Sequence, residues 1–88
     1  MFTEYTTIPK SILAVEVKFS NLDELLKWGR ENYPQYRWYT FNTMGDYFIV
    51  YDDGNWMNTA SVGDWLIIDT KNNLDILRQR EQYKYRKA

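Results

Sequence analysis

The stretch SILAVEVKFSNLDELLKWGRENYP, residues 11–34, changes period halfway along. Its first part alternates, with Leu13, Val15, Val17 and Phe19 on one side and Ile12, Ala14, Glu16 and Lys18 on the other, which predicts a half-buried strand. After Ser20 the apolar spacing becomes helical, and Leu22, Leu25, Leu26, Gly29 and Tyr33 fall on one stripe. Ser20 is the expected N-cap, with Asp23 three residues on and acids in the first turn, where the helix dipole favours them. Glycine costs about 1 kcal/mol against alanine inside a helix, so Gly29 predicts close approach of the helix to a sheet. Pro34 stops the helix, because the residue before proline avoids the α region.

Downstream the pattern is that of a sheet. YRWYTF (36–41) and YFIVY (47–51) are rich in aromatic and β-branched residues, with NTMGD as the loop between them. Asp53-Gly54 supplies a tight turn, and NWMNTA returns as the partner strand. Val62-Gly63 leads into DWLIID, apolar on both faces and hence a central strand; KNN then turns into LDILR, and QREQYKYRK is left as a short helix or a frayed strand. A strand, a helix and further strands in 88 residues predict an α+β fold. It is read as one small domain, an antiparallel sheet of about five strands with one main helix packed on it. Residues 8–77 form the expected core and 78–88 a basic tail.

The chain has no cysteine and no histidine. This removes the common zinc ligands, the Ser-His and Cys-His nucleophile pairs and the neutral-pH proton shuttle, so no catalytic residues, metal or cofactor are expected and an enzyme is disfavoured. The opening MFTEYTTIPK lacks the basic-then-apolar order of a signal peptide, and no run is long enough to span a bilayer. The expected location is cytoplasmic, with no membrane partner.

The formal net charge of −1 is unevenly laid out. Residues 1–41 balance; from 42 to 77 six acids face Lys71 alone, and from 78 to 88 Arg78, Arg80, Lys84, Arg86 and Lys87 face only Glu81. The acidic middle would repel phosphate, so duplex nucleic acid is not an expected partner. Such polarity can also pair two copies of the chain as a homo-oligomer, although solvated charge is its commoner explanation.

IPKSILAVEVKFSNLDELLKW, then GNWMNTASVGDWLI, then a tail containing Tyr83 together resemble a family of small phage proteins with an AVQF-like strand, a helix and an A-S-x-G-D-W-I-I motif. The likeness covers roughly residues 8 to 70 and rests most firmly on Ala14-Val15, Met57, Ala60, Gly63, Asp64 and Trp65. KSIL stands where that family has PVVV, and Val62 where it often has proline. The resemblance implies phage origin and a small α+β fold, and no particular activity.

Four groups of residues carry the functional reading. In SVGDWLI, Asp64 beside Trp65 suits either a ligand-facing acceptor with an aromatic wall or the start of a strand, with Gly63 at positive φ, Asp64 bonding amides of its own turn and Trp65 entering the core; the second is preferred. Gly54, Gly63, Asp64 and Trp65 are therefore structural turn residues. In residues 36–41, Tyr36, Trp38 and Thr40 share one face and Arg37, Tyr39 and Phe41 the other, and so small a domain cannot bury both. Tyr36, Arg37, Trp38 and Tyr39 are the expected contact residues, since rings beside arginine stack bases or form interface hot spots, and the competing reading is that a small core needs these large side chains. Asp52-Asp53-Gly54-Asn55 resembles a fragment of a calcium loop but lacks a further acid at the right spacing, so turn chemistry is preferred. In the tail, Arg78, Arg80, Lys84 and Arg86 around Tyr83 and Tyr85 suit phosphates or a protein partner.

The favoured function is a non-enzymatic phage accessory protein that binds, and thereby inhibits, a host or anti-phage defence protein in the host cytoplasm. The alternative is an oligomeric sponge sequestering a cyclic nucleotide, with rings on the base and Arg78, Arg80 or Arg86 on phosphate. A third reading is a structural component of the virion.

Overall fold

A computed structural model describes residues 1–7 and 10–87, so Ile8 and Pro9, at the start of the phage-like segment, lie outside the described residues. Among the described residues eight strands and one main helix follow in chain order: β1 (Thr3–Thr7), β2 (Lys10–Glu16), α1 (Leu22–Asn32), β3 (Arg37–Thr43), β4 (Asp46–Asp52), β5 (Met57–Ser61), β6 (Trp65–Ile68), β7 (Leu74–Leu77) and β8 (Arg86–Lys87). Short 3-10 turns occupy Phe19–Asn21 and Gln79–Lys84. The fold is α+β with antiparallel pairing throughout. Its strands divide between two sheets, ordered β7-β6-β2-β1-β8 and β3-β4-β5.

The chain forms two compact units, Met1–Glu16 with Gly63–Ala88, and Val17–Val62. The first holds the five-stranded sheet. Its β2–β6 pairing, Glu16 opposite Trp65 through Leu13 opposite Ile68, is non-local, and residues between those strands fold as the second unit. Ile12 and Ala14 are buried on the same face as Tyr5 and Trp65, whose rings lie 4.4 Å apart. Leu13 is instead exposed, opposite Glu4, and lines an open cleft of about 330 Å³ with Ile68 and Asp69. The expected apolar face of this strand holds in part: Val15 and Val17 are buried, but Leu13 is outside and Ile12 and Ala14 of the opposite face are inside as well. β6 has a neighbour on either side, as its apolar run requires. Residues 78–87 are no appended tail, since their 3-10 turn leads into β8, which pairs with β1 at Thr6 opposite Arg86.

The second unit holds α1 and the three-stranded sheet. The strand pattern gives way to a 3-10 turn at Phe19, which leaves the Phe19 ring exposed and set edge-on to Tyr47 at 4.2 Å. That turn moves the helix start past Ser20. Asn21 is the N-cap, and its Oδ1 accepts the Lys18 backbone N–H at 2.8 Å. Leu22, Leu25, Gly29 and Tyr33 are buried along the expected stripe, and α1 ends at Asn32, before Pro34. Gly29 meets the face of Trp38: a Cβ there would fall 2.6 Å from Cε3 and closer still to the ring-fusion carbons. The indole is fixed by its N–H donating to the Tyr33 carbonyl at 3.0 Å and by stacking on Tyr51 at 5.0 Å.

The β3–β4 connection is a two-residue turn with Met44 at φ 53° and Gly45 at φ 84°, the left-handed pair such hairpins need. At the next turn Asp53 Oδ1 accepts the Asn55 and Trp56 N–H groups, each at 2.9 Å, which confirms turn chemistry for the Asp-Asp-Gly-Asn run. Those two hydrogen bonds, that from Asn55 first, hold the Asp53 carboxyl below its ordinary value. A carboxyl with a depressed folded-state pKa adds stability above its unfolded pKa, and loses it as pH falls through the folded one. Asp53→Asn is therefore expected to flatten the fall in melting temperature below about pH 4. Thermal denaturation at graded pH reads this directly, and an unaltered slope contradicts it.

Candidate functional site

The three-stranded sheet has two unlike faces. One carries Trp38, Ile49, Tyr51 and Ala60, all buried, and α1 packs on β3. On the other, the register sets Arg37, Asp52 and Met57 in one row, Tyr39, Val50 and Thr59 in the next, and Phe41, Phe48 and Ser61 in a third. Val50 is buried, while the residues around it reach the surface: Arg37 is exposed, Tyr39 and Phe48 are half-buried, Phe41 is 38% exposed and Met57 57%. Trp56, in the turn leading to Met57, is 71% exposed.

Several of these side chains touch one another. Phe41 and Phe48 stack at 5.0 Å with planes 17° apart, the Arg37 guanidinium lies 5.0 Å from the Tyr39 ring centre, and the Tyr39 hydroxyl is 3.4 Å from Met57 Sδ. Asp52 Oδ2 lies 3.3 Å from Arg37 Nη2, and its charge, reinforced by that hydrogen bond, raises the already high pKa of the guanidinium. The surface thus offers a permanent cation, flat rings and a thioether, groups suited to stacking, cation–π contact and apolar burial.

Of the expected contact residues, Arg37 and Tyr39 lie on this surface. Trp38 does not: at 2% exposure it is core, because the strand's alternation points it at the notch left by Gly29. Tyr36 is half-buried, edge-on to Tyr51 at 5.1 Å. Phe41, Phe48 and Met57 complete the surface, Trp56 is exposed in the turn beside it, and all four were missed as contacts. Phe41 was legible from its shared face with Arg37 and Tyr39, and Trp56 from its place beside a tight turn, where a large ring has little to pack against.

The basic segment belongs to the other unit and is partly engaged already. Arg78 Nη1 lies 3.0 Å from Asp64 Oδ2, and Lys84 Nζ lies 2.6 Å from Glu81 Oε2. That hydrogen bond holds Glu81 below its ordinary value and Lys84 above its own. Arg80 and Arg86 are exposed. Arg78 and Lys84, two of the expected contact residues, are thus already paired within the chain.

Asp64 and Trp65 are structural in a way that differs from expectation. Gly63 has φ 104°, as expected. Asp64, 6% exposed, reaches across to Arg78 and to the Gln79 backbone N–H at 3.1 Å, because the β6–β7 pairing brings residue 78 beside it. Trp65 is half-buried against Tyr5 and does not enter the core.

A second open cleft, of about 410 Å³, is lined by Phe19, Asp46, Tyr47, Phe48 and Val62. Among the described residues no helix is long and apolar enough to cross a membrane. Comparison of the chain with protein-family models, with curated proteins and with solved structures finds no match.

Proposed function

We propose that the protein acts by binding, as a phage accessory protein that captures and inhibits a host or defence protein in the host cytoplasm, with the outward face of the three-stranded sheet as its contact surface. The observation that carries this reading is the set of large side chains left at one surface around Arg37, namely Tyr39, Phe41 and Met57, with Trp56 exposed in the adjoining turn. Leaving such side chains in water forgoes about 25 cal/mol for each Å² of apolar surface they could bury, which a partner recovers on binding. Trp, Tyr and Arg are also the residues that dominate measured interfaces. The lack of histidine and cysteine supports binding over catalysis. The phage-like pattern of residues 8–70 supports an infected cell as the setting.

The test uses exposed residues only, since removing Trp38 would disturb the core. Affinity purification from host lysate with wild-type protein is compared quantitatively with Arg37→Ala/Trp56→Ala protein. A protein enriched by the wild type is expected to fall at least about tenfold with the variant, matching loss of hot-spot side chains. Circular dichroism and melting temperature should hardly move, because surface substitutions cost about 0.5 kcal/mol or less. Equal recovery of the same proteins by both baits would remove the reading.

A further inference from the structure

The backbone of the three-stranded sheet determines which groups point outward. Val62 N–H donates to the Tyr47 carbonyl at 3.3 Å, so Tyr47, and by alternation Ile49 and Tyr51, direct their backbone groups toward β5. Phe48, Val50 and Asp52 then bond β3 through their opposite residues Phe41, Tyr39 and Arg37. Trp38, Thr40 and Asn42 are left pointing away from β4, along the open edge. A separate contact agrees: Arg30 Nη2 donates to the Trp38 carbonyl at 3.0 Å, which requires that carbonyl to face outward. Arg30 thus closes the edge at Trp38. Thr40 and Asn42, both exposed, leave it open.

Edges of this kind are normally blunted by lysine, proline or a bulge. Residues 38–45 contain no charge and no proline, and the β3–β4 register runs from Arg37 opposite Asp52 to Thr43 opposite Asp46 with no bulge. We infer that β3 pairs antiparallel with β3 of a second copy of this chain, Phe41 opposite Phe41, joining two three-stranded sheets into one of six strands.

The open groups select this register. Phe41 on the two-fold axis sets Thr40 opposite Asn42 in both directions, so the N–H and C=O groups of both residues meet in four N–H···O bonds. A register centred on Thr40 would spend Asn42 on Trp38, whose carbonyl Arg30 already holds. Centring on Asn42 would set Thr40 against Met44, a turn residue with φ 53°. Charge agrees with the chosen register, which draws no like charges together and brings Arg37 to the hairpin end of the second copy, where Asp46 supplies the opposite sign. Phe48, Phe41 and their copies then form one row of rings. The pairing stands independently of the binding reading, whose partner it does not involve.

The chain lacks cysteine, which makes a direct register test available. Across a non-hydrogen-bonded antiparallel pair the Cα atoms are about 4.5 Å apart, within disulfide reach. Mild oxidation is expected to convert Phe41→Cys protein to covalent dimer, and to leave Thr43→Cys protein monomeric, since its thiols would sit roughly 13 Å apart along the strands. Sedimentation equilibrium of wild-type protein should show a reversible dimer. Asn42→Pro removes one outward N–H and spares the β4 ladder, and Thr40→Lys/Asn42→Lys sets like charges face to face; each should shift the dimer midpoint at least tenfold with unchanged circular dichroism. The inference is overturned by a wild type that stays monomeric to about 1 mM, by equal crosslinking at 41 and 43, or by a dimer that survives both edge variants.

Discussion

Gly29→Ala is expected to lower the melting temperature by about 8–16 °C, although the same change in an open helix would stabilise it. Alanine's better helix propensity contributes about 1 kcal/mol. Against it stands overpacking, which costs about 1–3 kcal/mol in cores that can adjust. This one adjusts poorly. A Cβ at residue 29 overlaps three carbons of the Trp38 indole. That ring is tied at its N–H to the Tyr33 carbonyl, stacked on Tyr51 and met edge-on by Trp28 at 6.2 Å. Moving it breaks a buried hydrogen bond and unpacks a tyrosine only 2% exposed, so the cost should lie near the top of the range and leave a net loss of about 2 kcal/mol. The sign should reverse in a Trp38→Leu background, where the ring is gone and only the propensity gain remains. Thermal and urea unfolding of the four proteins of this cycle test the claim, and a wild-type background stabilised by Gly29→Ala would refute it.

That glycine marks how far the sequence could be read. Helical spacing with one glycine on the apolar stripe was enough to expect a close approach, and the changes of period around Ser20 and Pro34 were enough for strand, helix, strand. Local turn chemistry at Asp53-Gly54 was equally legible, because its cause lies within four residues. Pairing between distant strands was not. Alternation says that a segment is a strand and nothing about its neighbour, so the division into five and three strands, and the β2–β6 pairing that brackets the second unit, were invisible. β1 was missed because TEYTT alternates threonine and tyrosine with glutamate and threonine, which gives no apolar period. The contact surface was half legible for the same reason. Alternation separated Arg37, Tyr39 and Phe41 from Trp38, but choosing the buried set needed the notch at Gly29 and the indole filling it.

Asp64→Ala is expected to cost about 2–3 kcal/mol, and Asp64→Asn roughly half of that. Asp64 precedes β6 and Arg78-Gln79 follows β7, so the carboxylate closes the open end of this hairpin, opposite the Asp69–Asn73 turn. Gln82 Nε2 adds a bond to the Gly63 carbonyl at 2.8 Å in the same stitch. Arg78 and the Gln79 N–H weigh differently as partners of Asp64. Arg78 has a half-exposed side chain, and on losing the carboxylate its charge returns to water cheaply. The Gln79 N–H is part-buried, and leaving it without an acceptor costs about 1–3 kcal/mol. Asparagine keeps an oxygen for that N–H and gives up only the charge, hence the smaller loss. A ligand-facing Asp64 would behave differently: both variants would abolish binding while stability stayed level. Equal melting temperatures for wild type, Asp64→Asn and Asp64→Ala would therefore overturn the clamp. The graded loss, with faster hydrogen exchange at the Gln79 and Glu81 amides, is the outcome the geometry requires.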